Sequence, residues 1–183
     1  MKLHLGCWHR YIPGFIHVDL CDLPHIDYKR SIDDLSIFED CSAELIYSSH
    51  SFEYFDRIQA VDVLKEWRRV LKPGGILRLA VPDFDKLIEV YKLTGELDKI
   101  LGPLFGRMEI TSIESEMVLY HKTVYTFNSL KKMLEENGYG NVSPYDWKKT
   151  IHNGYDDHSQ AYFPHMDKEN GILISLNIEA ERI

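Results

Sequence analysis

The sequence lacks the features that mark secreted, membrane-spanning and nucleic-acid-binding proteins. Its 183 residues include three cysteines, Cys7, Cys21 and Cys41, and no C-x-x-C pair, which indicates free thiols in a reducing compartment. It has no long apolar run, and no signal peptide precedes the first predicted strand, so we expect no membrane span and a cytoplasmic location. The net charge of −8 argues against a nucleic-acid partner, which would require a basic face.

The dinucleotide-binding fingerprint is also missing. A nicotinamide or flavin site is typically marked by G-x-G-x-x-G after the first strand, with an acid about 20 residues further on. This chain has a lone Gly6 after its first predicted strand and an acid at Asp19. A nicotinamide-dependent enzyme is therefore not favoured. Repeats, low-complexity tracts and linkers are absent as well, so we expect a single domain over residues 1–183.

The N-terminal stretch is the strongest local signal for a ligand site. It predicts a strand that ends at Gly6, a loop, and a second strand that ends at Asp19. A glycine at a strand end lets a ligand approach the backbone, and an acid at the tip of the next parallel strand can bind a ribose diol. The loop contains Pro13 and Gly14 and is short for a parallel crossover, so an antiparallel hairpin is the alternative.

Most of the remaining chain shows clear strand and helix patterns. A strand is predicted over residues 43–50, and a helix then follows the N-cap Asp56 and stops at the Pro-Gly-Gly turn of residues 72–75. The next strand covers residues 76–82, and two helices are predicted between residues 84 and 107. A helix capped at Thr126 or Asn128 precedes the last two strands, at 141–147 and 171–180. Residues 108–119 are interpreted as a lid or a loop over the acceptor site.

The run EWRRVLKPGGILRLAVPDF, at residues 66–84, closely resembles the helix, turn and strand of class I S-adenosylmethionine-dependent methyltransferases. Residues 3–20, 43–55 and 126–139 resemble the same family, and residues 21–34 do so more loosely. The resemblance implies an α/β Rossmann-like class I methyltransferase fold. Its sheet would have seven mostly parallel strands with an antiparallel edge strand and helices on both faces. The first crossover helix would be reduced.

The resemblance also implies S-adenosylmethionine as the cofactor. The family usually has Gly-x-Gly after the first strand, and here Trp8 stands where the second glycine is expected. Trp8 could stack beside the cofactor, or it could fill the cleft. The residues carried over to the cofactor site are Gly6, Cys7, Trp8, Asp19, Leu20, Ser31, Ile32, Asp33, Ser49 and His50.

Candidate catalytic residues follow from residue type and position rather than from a matched motif. A hydroxyl acceptor needs a base near neutral pKa, and histidine is the usual choice. We expect His121 and His158 to be the candidates for this base, with Asp157 as an orienting acid. We consider His25 and His152 weaker candidates. The spacing of His152, His158 and His165 fits no standard ligand pattern, so we expect no metal site.

Together these features predict a methyltransferase that acts on a small polar acceptor, with a sugar or glycan-precursor hydroxyl as one acceptor class. The rival interpretation is a catalytically inactive protein that retains the fold and serves binding or interaction. Loss of the second glycine of the motif is what such a protein would show. The sequence leaves open the acceptor atom and the choice between monomer and homodimer.

Overall fold

The structure is a computed structural model that describes residues 1–111 and 116–183. The strands are β1 (Lys2–Leu5), β2 (Ile16–Asp19), β3 (Tyr28–Lys29), β4 (Ala43–Ser49), β5 (Leu71–Pro82), β6 (Met108–Thr111), β7 (Glu116–Leu119), β8 (Tyr139–Pro144), β9 (Tyr162–Phe163), β10 (Ile172–Leu173) and β11 (Ser175–Arg182). The α-helices are α1 (Gln59–Val70), α2 (Phe84–Thr94), α3 (Asp98–Phe105) and α4 (Phe127–Glu136). Single 3-10 turns lie at Phe52–Tyr54, Trp147–Lys149 and His158–Gln160.

Seven strands form one mixed sheet in the order β3-β2-β1-β4-β5-β11-β8. The first five in this order are parallel, whereas β11 runs antiparallel to both β5 and β8. Leu3 pairs with Ile16 in parallel register, so the antiparallel-hairpin alternative for residues 2–19 was wrong. The predicted fold class and its antiparallel pair at one edge are confirmed.

The crossover from β1 to β2 contains no helix among the described residues. Its side chains Ile12 and Phe15 pack instead against Leu45 and Tyr47 on the sheet. A short loop can therefore make a parallel connection here, because its own apolar side chains cover the strands that a helix would otherwise cover.

Strand β5 begins earlier than the sequence predicts. Ala43 pairs with Leu71 and Leu45 pairs with Ile76, so residues 72–75 are accommodated as an irregularity within the strand. Gly74 has a φ of 74°, which the side chain of another residue would disfavour. The Pro-Gly-Gly run ends α1 as predicted, but it bulges within a strand rather than preceding one.

The helices α1 and α4 cover one face of the sheet and enclose the main core. Trp67 of α1 is fully buried there, and its indole Nε1–H donates to the Ile32 carbonyl at 2.7 Å. Tyr139, at the start of β8, donates its hydroxyl to the Leu64 carbonyl at 2.9 Å. Trp67 is therefore a core residue.

The opposite face is covered differently. Residues 7–15 and the segment 145–163 lie over it, and the rings of Tyr47 and His152 pack at a tilt of 31° with centroids 4.1 Å apart. Two of the 3-10 turns belong to this segment. On this face the described residues provide loop and 3-10 segments where part of the expected helix cover would lie. Helices α2 and α3 pack against the β9–β10 hairpin.

The region interpreted as a lid or loop contains the antiparallel hairpin β6–β7, and its tip, residues 112–115, lies outside the described residues. Across the described ranges, no helix is both long and apolar enough to span a bilayer.

Candidate functional site

A cleft of about 660 Å³ opens at the carboxyl ends of β1 and β4. Gly6 and Ser49 stand at these strand ends, and the other walls come from the end of α3, the start of β6 and the segment 145–163. We call this cavity the central cleft. Ligands of open parallel sheets bind at this edge, because the loops that follow neighbouring strands diverge there.

Gly6 turns the chain at the cleft floor. Its φ is 66°, and a side chain at this position would collide with Ser51. The Ser51 hydroxyl in turn donates to the Leu5 carbonyl at 3.3 Å and lies 2.9 Å from the Ser48 hydroxyl. Glycine is required here by the backbone conformation and by the packing behind it.

The turn accommodates Trp8 at the position where the resemblance implies a second glycine. Its φ is 44°, its carbonyl accepts a hydrogen bond from His25 Nε2 at 2.7 Å, and its indole is 38% exposed and lines the cleft. A left-handed conformation costs a non-glycine residue roughly 1–2 kcal/mol. The hydrogen bonds on both sides of the Trp8 peptide hold it in place.

Asp19 lies behind Trp8 rather than in the cleft lining. One carboxylate oxygen accepts the Trp8 amide at 2.8 Å, the other accepts the Cys21 amide at 2.9 Å, and the residue is 6% exposed. A carboxylate has about four acceptor sites, so each oxygen retains capacity for a further donor. The structure thus uses Asp19 to fix the glycine turn.

The ten residues carried over to the cofactor site divide into two groups. The residues that line the central cleft are Gly6, Cys7, Trp8, Ser49 and His50. Asp19, Leu20, Ser31, Ile32 and Asp33 do not line it. In this second group Ile32 is buried in the main core, and Asp33 is exposed. Only the strand-end residues are brought together.

Besides the buried His4, three histidines line the cleft: His50, His121 and His158. The His50 ring has Nε2 3.0 Å from the Ser175 hydroxyl, and its centroid is 5.3 Å from that of His158. His50 itself has a φ of 52°, so a second non-glycine residue at the cleft adopts the left-handed conformation. Desolvation by the surrounding protein lowers the pKa of all three imidazoles, even though one side of His158 stays exposed, and Arg10 lowers the pKa of His158 further. They are therefore neutral near pH 7 and able to accept a proton.

The two proposed histidine bases differ in access. His121 directs both ring nitrogens at protein atoms: Nδ1 is 2.9 Å from the Pro103 carbonyl and Nε2 is 3.6 Å from Glu53 Oε1. His158 is exposed on the cleft, and within the described part of the chain its ring forms no hydrogen bond. His158 is the imidazole that an acceptor could reach.

Asp157 does not orient His158. Its carboxylate accepts the Tyr47 hydroxyl at 2.5 Å and the Ser159 amide at 2.8 Å, and it lies 3.5 Å from the Ser49 hydroxyl. It is 5% exposed and caps the 3-10 turn that follows it. These bonds tie the segment 145–163 to the sheet, so the expected orienting contact is absent from the described residues.

The weaker histidine candidates lie elsewhere. His152 is buried against Tyr47, His25 bonds the Trp8 carbonyl, and His165 is exposed, so the structure does not gather His152, His158 and His165 into one site. In residues 1–111 and 116–183, no group of three or more histidine, cysteine or acidic side chains is arranged to hold a metal. Burial raises the pKa of the Cys7 thiol, which leaves it unreactive.

Sequence reasoning missed two cleft groups. Glu53 is fully buried behind His50 and His121, although an acid one residue before Tyr54 in a loop gave no sign of burial. Arg10 lines the cleft and is half-buried, and no carboxylate of the described residues forms an ion pair with it. The sequence did offer a signal for Arg10, since it is an arginine in the first loop of an acidic protein.

The comparisons with known proteins agree on one family. Residues 15–79 match the family described as "Methyltransferase domain". Demethylmenaquinone methyltransferase from Staphylococcus aureus is 31% identical over 125 residues, which cover 61% of this chain and 50% of that protein. The chain spans about half the length of the curated relatives it matches.

Solved structures resemble the whole chain. A SAM-dependent methyltransferase from Archaeoglobus fulgidus has a TM-score of 0.56 at 15% identity and matches 98% of this chain and 85% of its own. The 1,6-didemethyltoxoflavin-N1-methyltransferase from Burkholderia thailandensis, solved with its acceptor and S-adenosylhomocysteine, has a TM-score of 0.55 at 13% identity, over 99% of this chain and 70% of its own. At these identities the likeness establishes the fold.

Proposed function

We propose that this chain, which has the class I methyltransferase fold, is an S-adenosylmethionine-dependent methyltransferase that methylates a small polar acceptor. The observation that carries the proposal is the central cleft at the ends of β1 and β4, with the neutral imidazole of His158 exposed on it. The match of residues 15–79 to a methyltransferase domain and the methyltransferase relatives support it.

The residues present fit the methionine end of S-adenosylmethionine. Gly6, Ser49 and His50 line the cleft at the strand ends, and the half-buried Arg10 guanidinium suits a carboxylate. The buried Glu53 carboxyl behind the wall suits a cation. We assign these groups to the methionine end.

The ribose end would be met by Asp19, whose two oxygens each hold one backbone donor and keep room for another. Leu20, Ser31, Ile32 and Asp33 remain proposed contacts on the same side.

When bound, S-adenosylmethionine supplies a methyl group that is already activated by the sulfonium charge. The chain then has to position an acceptor and remove its proton. We assign proton removal to a ring nitrogen of His158, which faces the cleft without a hydrogen bond in the described residues. His121 and Asp157 hold the wall in place, since their polar atoms face protein groups. Positioning can contribute roughly 7–11 kcal/mol and a base about 10²–10⁴-fold.

The acceptor class is the finer part of the proposal. A sugar or glycan-precursor hydroxyl fits a cleft rimmed by Arg10, Trp8, Tyr54 and histidines, because such groups bind hydroxyls and ring faces. The curated relatives are named for demethylmenaquinone, which is a different kind of acceptor. An acceptor screen therefore has to contain both sugars and demethylmenaquinone.

A second function is favoured by two observations. The engagement of Asp19 by the Trp8 amide and the position of the indole on the cleft are what a protein that lost the cofactor would show. In that case the chain is a catalytically inactive methyltransferase-fold protein that serves binding or interaction.

Calorimetric titration with S-adenosylmethionine and S-adenosylhomocysteine separates the two. We expect micromolar binding of both, followed by labelled-methyl transfer to one member of the acceptor screen. In His158→Gln we expect transfer to fall about 10²–10⁴-fold with cofactor affinity unchanged. His165→Gln, an exposed histidine seven residues further on, is the matched control and should be silent. No heat at millimolar ligand would support the inactive protein instead.

A further inference from the structure

A buried acid without partners lies directly behind the cleft wall. Glu53 belongs to the 3-10 turn Phe52–Tyr54, is 0% exposed, and neither carboxyl oxygen has a hydrogen-bond partner among the described residues. Burial raises the pKa of Glu53 to about 8. An acid in this position costs stability, because a buried polar group without hydrogen bonds is unfavourable. Its presence therefore points to a functional role.

Two cleft histidines face the same oxygen of this acid. His50 Nδ1 and His121 Nε2 each lie 3.6 Å from Glu53 Oε1. The opposite nitrogen of each ring is engaged, with the Ser175 hydroxyl at 3.0 Å and the Pro103 carbonyl at 2.9 Å. The rings are thus held with one nitrogen toward the acid, and a small approach would complete either hydrogen bond.

Among the described residues, no cationic side chain acts on this acid. The other titratable groups nearby are the phenols of Tyr54 and Tyr125, whose pKa values are raised by burial and then by Glu53, and the imidazole of His158, which faces His50 and His121 from the cleft. No lysine or arginine of the described residues forms an ion pair with Glu53. Whichever group holds the proton, the set as a whole is neutral with one proton bound and negative without it.

We propose that Glu53, His50 and His121 form one proton-sharing unit behind the cleft, and that the unit releases its proton when a cation binds in the cleft. A positive charge against the wall favours the ionised carboxyl, so binding and proton loss are linked. The inference rests on the proposed function, since the cation it concerns is a sulfonium.

The linkage distinguishes the substrate from the product. S-adenosylmethionine carries the sulfonium charge, and S-adenosylhomocysteine does not. As pH falls below about 8, a growing fraction of the unit is protonated. The cation then has to displace this proton, so S-adenosylmethionine binds more weakly. After methyl transfer the sulfur is neutral and the unit takes up one proton again. The acceptor hydroxyl loses one proton in the same step, so the proton balance closes.

Calorimetry with both ligands from pH 6 to pH 8.5 tests the proposal. In the wild type we expect the preference for S-adenosylmethionine over S-adenosylhomocysteine to rise with pH, by at most about tenfold per unit, and to level off above about pH 8. Repeating the titration in two buffers of different ionisation enthalpy should show up to one proton released per S-adenosylmethionine bound. In Glu53→Gln the preference should be independent of pH. Glu39→Gln makes the same chemical change at an exposed site and should behave as the wild type.

Carbon-13 NMR of the glutamate carboxyls in the unliganded wild type provides a measurement that needs no substitution. We expect one carboxyl to titrate far above the usual glutamate range, and to be absent in Glu53→Gln. A preference that does not vary with pH in the wild type, or that keeps its pH dependence in Glu53→Gln, would overturn the proposal. So would the absence of a high-titrating carboxyl.

The failure of the proposed function looks different. It would appear as no binding of either ligand at any pH, whatever the carboxyl does.

Discussion

At the scale of single residues, two backbone positions at the cleft are held in a conformation that side chains disfavour. Trp8 has a φ of 44° and His50 a φ of 52°, and both line the cleft. Such strain persists only where the surrounding structure fixes it, and it tends to collect at functional sites. Trp8 is the more informative of the two, because the resemblance implies glycine at its position.

Replacing Trp8 by glycine separates obstruction from contact. Trp8→Gly removes the left-handed strain and retains the backbone amide that donates to Asp19, so the turn should be preserved and the free energy of unfolding should rise by up to about 1 kcal/mol. If the indole only obstructs the cleft, S-adenosylmethionine should bind at least as tightly. Urea unfolding and calorimetry give the two quantities.

Trp8→Ala is the matched control for this change, since it removes the indole but keeps a Cβ in the strained conformation. Equal ligand affinity in both variants, with a stability difference between them, would assign the strain to the backbone alone. Weaker binding in both would mean that the indole is a ligand contact.

At the same scale, the burial of particular acids could not be predicted. Glu53 and Asp157 are both nearly inaccessible, yet acids are among the residues least often buried. Asp157 is held by Tyr47, which is 110 positions away in the chain. No local pattern encodes a contact of that range, which is why Asp157 was interpreted as a partner of its neighbour His158.

At the scale of elements, local patterns were sufficient where they were periodic or punctuated. Gly95 ends α2 in a left-handed conformation, and the strand predicted over residues 43–50 and the last two predicted strands are confirmed within a few residues. Asp56 caps the turn that leads into α1, since its carboxylate accepts the amides of Ile58 and Gln59. The predicted start of β5 at residue 76 was wrong, because the pairing of Leu71 with Ala43 overrides the turn signal of Pro73 and Gly74.

The cap of α4 decides between the two residues that the sequence left open. Thr126 accepts the Ser129 amide at 3.2 Å, and the Ser129 hydroxyl accepts the Thr126 amide at 2.9 Å, which completes a capping box. Thr126→Ala should lower the free energy of unfolding by about 1 kcal/mol, because orphan amides of the first turn lose their acceptor. Urea denaturation measures this.

Asn128→Ala is the control for the cap, because it changes the competing candidate within the same turn. A loss in Asn128→Ala equal to that in Thr126→Ala would contradict the assignment of the cap.

At the scale of the whole molecule, the resemblance to class I S-adenosylmethionine-dependent methyltransferases is confirmed by the family match and by the sheet order. What departs from the expected architecture is the cover of one face. The cytoplasmic location, the single domain over 1–183, the lack of a nucleic-acid partner and the choice between monomer and homodimer stay predictions.

The segment 145–163 takes the place of helices on that face, and a buried hydrogen bond secures it. The Tyr47 hydroxyl, on β4, donates to Asp157 Oδ2 at 2.5 Å, and the Asn177 amide on β11 donates to the Ser159 carbonyl at 2.8 Å. Because one partner is a carboxylate, the first bond is the stronger of the two.

Asp157→Asn should therefore act on stability before it acts on chemistry. We expect the free energy of unfolding to fall by about 1.5–3 kcal/mol, the range for hydrogen bonds to charged groups, and limited proteolysis to cut faster near the exposed residues 153–156. A double-mutant cycle with Tyr47→Phe should show strong coupling, since Asp157→Asn removes the charge from the bond that Tyr47→Phe deletes.

Asp156→Asn is the matched control, because it alters an exposed acid that pairs with Lys168 at the surface. It should cost at most about 1 kcal/mol. Asp157→Asn protein that keeps its stability and protease resistance but loses methyl transfer would make Asp157 a catalytic group after all. If Asp157→Asn protein loses stability but still binds S-adenosylmethionine at low temperature, the role of Asp157 is structural. Its hydrogen bonds then hold the segment 145–163 on this face of the sheet, whereas packed helices cover the other face.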